Sequence, residues 1–258
     1  MPELLTKIGN NAFAGSGITE IQIPIKVSEI GDGCFSNCKR LAEFKTPYAS
    51  GLGKIGKQAF SNSAITKITI PSGVYEIGDE CFYNCEILKN VQIEDNSRLT
   101  KLGTKAFAKT NINTIKIPNK VIEIGNECFS GCNKLGTVIL SNGLTKIGEK
   151  TFFNSGLTEI NIPNKVEEIG NECFSGCNKL NKVEIDGNNS TLNKIGNKAF
   201  LGTNISEFSI PKKVTKFNRA WFIQCNNLTS IKVFNSSLSG TIRNIYRNTG
   251  TNIINMAK

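Results

Sequence analysis

Apolar and polar side chains alternate in short runs along the chain. The run ITEIQIP at 18–24 is one example. Alternation of period two predicts a β-strand with one buried face. In five places a proline closes the run: Pro24, Pro71, Pro118, Pro163 and Pro211. Proline has no N–H for a further ladder bond, so pairing ends there. A second short extended piece follows, as in VSEIG at 27–31. A tight apolar turn comes next, such as AFAGS at 12–16 or CFSNC at 34–38, read as about one turn of helix.

This order recurs. Ile-Gly pairs, or their equivalents, begin at Ile8, Ile30, Ile55, Ile77, Leu102, Ile124, Ile147, Ile169, Ile195 and Phe217. Their spacings are 22, 25, 22, 25, 22, 23, 22, 26 and 22, so short and long units alternate. Five residues after each start stands a phenylalanine, and this one column holds ten of the fifteen in the chain. A unit this short cannot bury its own apolar face, whereas stacked units share a continuous core. The expected fold is a repeat solenoid of about eleven short strand-and-turn coils, on the order of 50 Å long at the spacing of β-strands. Its regular repeats span 4–234. The segment 235–258 reads as a degenerate last repeat or cap, in which Tyr246–Ile253 echoes Phe107–Ile112, and the whole of 1–258 reads as one solenoid. The glycine after each isoleucine, replaced by Asn218 in the tenth unit, reads as a left-handed corner.

The pattern I-G-x-x-[AC]-F-x-x-C-x-x-L-x-x-I-x-I-P-x-x-V resembles the BspA-like leucine-rich repeats, found on surface proteins of bacteria and parasitic protists. The resemblance covers nearly the whole chain. It implies a right-handed leucine-rich-repeat superhelix used for adhesion and partner binding, without catalytic chemistry or cofactor. It also implies a location at the cell surface or in the secreted fraction, with the cytoplasm as the alternative. Cysteine stands where the family usually has alanine before phenylalanine in the long units, and Trp221 does so in the tenth.

Four cysteine pairs flank phenylalanines in the long units: Cys34/Cys38, Cys81/Cys85, Cys128/Cys132 and Cys173/Cys177, with Cys225 unmatched. Successive pairs lie two coils apart, roughly 9.6 Å by the strand spacing. Zinc–sulfur bonds of about 2.3 Å cannot span that distance. No histidine exists to complete a metal set or to activate a thiol. The reading favours buried thiols, with disulfides inside each pair as the alternative.

Charge adds two patterns. The residue before each Ile-Gly alternates Lys7, Glu29, Lys54, Glu76, Lys101, Glu123, Lys146, Glu168 and Lys194, so neighbouring coils should face opposite charges and lock their register. The net charge is +10, and eight basic residues with no acidic one lie from Lys212 onward. Such asymmetry points to a polyanion, with Lys212, Lys213, Lys216, Arg219, Arg243 and Arg247 as its candidate ligands; a lysine- and asparagine-rich proteome would give the same composition.

No apolar stretch long enough to span a membrane occurs, and the N-terminus carries no basic-then-apolar leader. The absence of histidine, of a phosphate loop and of a non-repeating acidic cluster argues against an enzyme. The insertions Glu94–Ser97 and Asp186–Ser190 could hold a cation weakly, although turn chemistry explains them equally well. Binding should fall on the outward positions of the strands. They are Glu20 and Gln22, Glu43 and Lys45, Lys67 and Thr69, Asn90 and Gln92, Lys116, Ile139, Glu159 and Asn161, Lys182 and Glu184, Glu207 and Lys232. These vary from coil to coil, which suits a polar surface for a protein or glycan ligand, host-derived ones included. An intracellular scaffold is the alternative.

Overall fold

The computed structural model describes residues 3–47 and 50–257. The first two residues of the segment read for a leader, and the last lysine of the basic block, lie outside them.

The coils stack into two parallel faces. One is a nine-stranded sheet of two-residue strands in chain order: Lys7–Ile8, Glu29–Ile30, Lys54–Ile55, Glu76–Ile77, Lys101–Leu102, Glu123–Ile124, Lys146–Ile147, Glu168–Ile169 and Lys194–Ile195. We call it the ladder sheet. The other, the face sheet, carries the alternating runs and is broken into four. Its parts are Glu20–Gln22 through Asn90–Ile93, then Thr114–Lys116 with Thr137–Ile139, then Glu159–Asn161 with Lys182–Glu184, and last Glu207–Ile210, Ser230–Val233 and Asn252–Asn255. The breaks fall where a long unit hands over to the next short one. At the first such handover, inside the four-stranded part, pairing survives only as Glu43↔Lys67. The structural module is therefore a pair of coils, as the alternating spacings require.

Between the sheets runs the core. The phenylalanine column forms an unbroken ladder from Phe13 to Phe222, with successive ring centroids 5.1–5.9 Å apart and planes within 24°. This is the offset-stacked geometry that aromatic quadrupoles favour. The rings from Phe35 to Phe200 are fully buried; Phe13, in the first coil, is only half-buried.

The turns carrying these rings are not helical, contrary to the sequence reading. In each of the first eight coils the N–H groups three, five and seven residues past the coil start donate forward to carbonyls of the next coil. Lys105, Phe107 and Lys109, for example, bond Asn126, Cys128 and Ser130 at 2.8–2.9 Å. An α-helix would spend those donors on its own chain. Sending every second N–H outward requires left-handed residues at the third and seventh positions, and residues such as Lys105 (φ 55°) and Lys109 (φ 57°) adopt that conformation.

The glycine column is also corrected. Gly31, Gly56, Gly78, Gly103, Gly125, Gly148, Gly170 and Gly196 are not left-handed. They are glycine because the backbones of adjacent coils almost touch there. A Cβ on Gly125 would lie 2.6 Å from the Thr104 nitrogen and 2.7 Å from the Gly103 carbonyl carbon. Asn218 breaks the column in an extended conformation (φ −127°) and caps a 3-10 turn, Arg219–Phe222. The ladder sheet stops one coil before it.

The last unit keeps its strand and loses its turn. Asn252–Asn255 pairs in register with Ser230–Val233. A helix, α1 (Ser236–Ile245), replaces the turn, capped by the Asn235 side chain accepting from the Ser237 N–H. Tyr246 meets Phe217 edge-on instead of joining the ring ladder.

Candidate functional site

Strand pleating fixes which face-sheet residues point outward. Glu20, Gln22, Lys45, Lys67, Asn90, Gln92, Lys116, Ile139, Glu159, Asn161, Lys182, Glu184 and Glu207 are exposed; Glu43, Thr69 and Lys232 are half-buried. The apolar residues between them, such as Phe44, Ile68, Ile115 and Ile160, are buried.

The broken ladder shapes this surface. Glu43, Lys45, Lys67, Thr69, Asn90 and Gln92 come together around a shallow groove of about 470 Å³ where the first handover loosens the pairing. Ile139, Glu159, Asn161, Lys182 and Glu184 line a second groove of about 480 Å³ at the break between Thr137–Ile139 and Glu159–Asn161. Lys116 lines a third, of about 260 Å³, beside Glu94 and Asp95. Glu20, Gln22, Glu207 and Lys232 line none of the three. Sequence reasoning missed Thr46, Pro47, Leu140, Asn142 and Pro163, which complete the first two grooves. Pro163 and Leu140 fall on the recurring proline and apolar positions, whose role reads as structural, while Thr46, Pro47 and Asn142 follow the strands of long units.

Much of the charge on the face is internally matched. Glu20 and Glu43 stand opposite each other in register, and the Lys45 Nζ lies 2.9 Å from a carboxylate oxygen of each. Hydrogen bonds to the two carboxylates, Glu20 first, hold the Lys45 amine above its ordinary range, and Lys45 in turn holds the Glu43 carboxyl down. Lys182 pairs with Glu184 at 2.6 Å, and Lys232 with Glu207 at 2.8 Å. Lys67 and Lys116 make no direct ion pair among the described residues, although Lys67 stands in register with Glu43 and adds to the pull on its carboxyl; they are the least committed cations of the face.

On the ladder sheet the alternating charges do meet across coils: Lys7–Glu29 at 3.0 Å, Lys54–Glu76 at 3.6 Å, Lys101–Glu123 at 3.3 Å, Lys146–Glu168 at 3.5 Å and Lys194–Glu168 at 3.0 Å. Exposed pairs of this kind contribute about 0–1 kcal/mol each, so their value lies in register.

Two residues of the basic block border grooves at either end of α1. Lys212 borders a groove with Phe234, Asn235 and Ser236 at the start of α1, while Arg219 borders another with Tyr246 beyond its end. Lys213, Lys216, Arg243 and Arg247 are exposed and line neither. The insertion loops bond within the protein: Asp186 caps its own turn, accepting the N–H groups of Asn188 and Asn189 and the Asn189 side-chain amide, and Glu94 reaches the preceding coil to accept the Ser72 N–H.

All nine cysteines are unpaired, and all but Cys225 are buried. The second of each pair is a hydrogen-bond donor between coils. The Cys38, Cys85, Cys132, Cys177 and Cys225 thiols lie 2.9–3.1 Å from the carbonyl oxygens of Phe13, Phe60, Phe107, Phe152 and Phe200. Ser16, Ser63, Thr110, Ser155 and Thr203 meet the same sulfurs at 3.2–3.5 Å. The alternation of cysteine with serine or threonine at this place is thus one polar contact repeated. Burial pushes Cys85, Cys132 and Cys177 up to about 11 and Cys34 to about 12, so the nucleophilic thiolate is suppressed.

The profile of the BspA type leucine rich repeat region matches residues 6–135, 53–181, 100–229 and 145–257 in overlapping windows that together cover almost the entire chain. No curated protein sequence matches. Among solved structures, a leucine rich cell surface protein of Faecalibacterium prausnitzii is similar at 23% identity and TM-score 0.50, over 98% of this chain and 84% of that one. The pneumococcal vaccine antigen PcpA is similar at 17% identity and TM-score 0.52, over 93% and 80%. A leucine rich repeat protein of T. pallidum is similar at 23% and 0.51, over 72% and 92%. At these identities the structures speak for the fold.

Proposed function

The chain belongs to the BspA-type leucine-rich repeat family, and from that premise we propose that it is a non-catalytic partner-binding module of a cell surface, engaging a protein or glycan through the face sheet. One observation carries the reading. The face sheet is the part of each coil that is exposed, varied and grooved, while the ladder sheet is uniform. The leucine-rich cell surface protein and the vaccine antigen among its structural relatives support a surface setting. Lys67 and Lys116 offer the partner positive charge outside any direct ion pair beside the first and third grooves. The surface is polar and short of exposed aromatics, which suits a contact of modest affinity. The basic C-terminal end adds a long-range, salt-sensitive attraction for anions.

A second reading, an intracellular scaffold, draws on the nine unpaired thiols, which suit a reducing compartment. The test is a partner screen at low and physiological salt with two variant sets: Lys67→Glu with Lys116→Glu, and Lys212→Ser, Lys213→Ser, Arg243→Ser with Arg247→Ser. Loss of binding in the first set alone supports the face. Wild-type binding in both sets sinks the assignment.

A further inference from the structure

Coil one repeats coil five. Lys7, Gly9, Ala12, Phe13 and Ile18 stand where Lys101, Gly103, Ala106, Phe107 and Ile112 stand. Coil five is covered on one side by coil four, and that contact can be read group by group. The Glu80, Phe82 and Asn84 N–H groups donate to the Thr104, Ala106 and Ala108 carbonyls at 2.7–2.9 Å. The Thr100, Gly103 and Asn113 N–H groups donate back to Tyr75, Ile77 and Lys89 at 3.0–3.3 Å. Glu76 stands in register with Lys101. A Cβ on Gly103 would lie 2.5 Å from the Asp79 nitrogen. Leu99, Ala106, Phe107 and Ile112 are fully buried.

Coil one presents the same groups unmet. The Asn10, Ala12 and Ala14 carbonyls and the Thr6, Gly9 and Thr19 N–H groups have no partner among the described residues. Leu5, Phe13 and Ile18 are only half-buried, and Ala12 is exposed. Gly9 separates this side from an ordinary polar cap. A Cβ there would meet nothing within 4 Å, and its φ is not positive. Within the chain neither room nor conformation calls for glycine at this place, whereas a backbone stacked on coil one would.

We propose that the open side of coil one docks against a Glu-type coil, one carrying Glu before Ile-Gly, of another leucine-rich-repeat protein. The hydrogen-bond polarity selects this occupant. Coil one offers carbonyls at its turn and N–H groups at its strands, so the partner must offer turn N–H groups and strand carbonyls, as coil four does. Main-chain bonds supply the affinity, as in strand addition, and the charge beside Lys7 supplies the choice of coil. A second copy does not complement this side. Placed turn against turn it would oppose carbonyls with carbonyls. Its other end is covered by α1, and its ladder sheet stops at Lys194–Ile195. The docking side is distinct from the face sheet and from the basic end, so the proposal stands apart from both.

The probe is a synthetic peptide of residues 73–95, which is coil four, titrated to millimolar concentration into the full chain while backbone amides are followed by NMR. The expected result is that the Thr6, Gly9 and Thr19 amides shift together and exchange more slowly. Gly9→Ala, whose methyl meets nothing in the chain itself, should leave the fold unchanged and weaken binding about 5- to 100-fold. Lys7→Glu should weaken it about two- to fivefold, and a Glu76→Lys peptide should recover that loss. A peptide of residues 98–118, a Lys-type coil, should bind more weakly than the first. Still amides at Thr6, Gly9 and Thr19, Gly9→Ala binding like wild type, or equal binding of the two peptides would each overturn the proposal. Dimerisation of the chain through these same amides would overturn it as well, by making a second copy the occupant.

Discussion

The two sheets of this solenoid are built from the same coils and obey different rules. In the ladder sheet every strand is two residues long, every neighbour pairs, and one charge pattern repeats from Lys7 to Lys194. In the face sheet the strands vary in length, the pairing fails at successive handovers, and outward residues share no pattern. The difference follows from packing. On the ladder side the glycine column brings backbones close enough that even a methyl group would collide, so sequence has no freedom. On the face side only the inward half of each strand is constrained, and the outward half is free to vary.

The comparison can be broken most forcefully in the core that both sheets share. Phe129 is fully buried between Phe107 and Phe152. Phe129→Ala should cost about 3–5 kcal/mol, measured by chemical denaturation. In a solenoid coils interact with their nearest neighbours, so hydrogen exchange should rise first in the coils of Phe107 and Phe152. A loss under about 1 kcal/mol would mean the ring ladder does not carry the core.

A finer break separates the two explanations of the glycines. Gly125→Ala should destabilise by about 1–3 kcal/mol, because its Cβ meets backbone that cannot swing aside. Gly9, in the first coil, has nothing within 4 Å, and Gly9→Ala should stay within about 0.5 kcal/mol. Equal costs at both positions would restore backbone conformation as the cause.

How much of this could be read from the sequence follows the same divide. The coil count, the ring column, the alternating charges and the strand pleat were legible, because each is a periodic burial or charge signal. The turn geometry was not. A left-handed Lys105 or Glu127 carries no compositional mark; its conformation is imposed by hydrogen bonds to a coil more than twenty residues away. The glycines were misread for the same reason, since lack of room between coils is a tertiary fact. For the site, the outward residues were legible but their grouping was not. The grooves depend on where pairing across the face sheet fails.

The thiols sharpen the comparison through pH. Eight cysteines have folded values raised above the ordinary 9.0, mainly by desolvation, and some reach about 11 or 12. The folded state therefore holds protons that the unfolded state releases. Their stabilising contribution is complete below about pH 9 and is lost as pH rises through 11 to 12. The denaturation midpoint should fall over that window. It should fall less in the Cys85→Ala, Cys132→Ala, Cys177→Ala variant relative to its own value at pH 8. A thiol reagent at pH 8 should modify the native protein slowly and all nine thiols once unfolded.

The smallest effect on stability should come with the largest effect on function. Lys67 and Lys116 sit on the face sheet, outside any ion pair among the described residues, with side chains in solvent. Replacing both with glutamate removes no packing and breaks no direct ion pair, although Lys67→Glu sets a carboxylate in register with Glu43. Surface changes of this kind stay within about 0.5 kcal/mol each. Lys182→Glu differs, because it strands Glu184 beside a like charge, yet an exposed pair is worth at most about 1 kcal/mol. Binding should respond in the opposite order. Lys67 and Lys116 are free to meet a partner's carboxylates, whereas Lys182 must first give up Glu184. A captured partner whose affinity falls more with Lys67→Glu and Lys116→Glu than with Lys182→Glu would show that uncommitted charge selects the ligand. If Lys182→Glu has the larger effect, or if all three leave affinity unchanged, recognition depends on groove shape or on another surface, and the charges of the face sheet only keep it soluble.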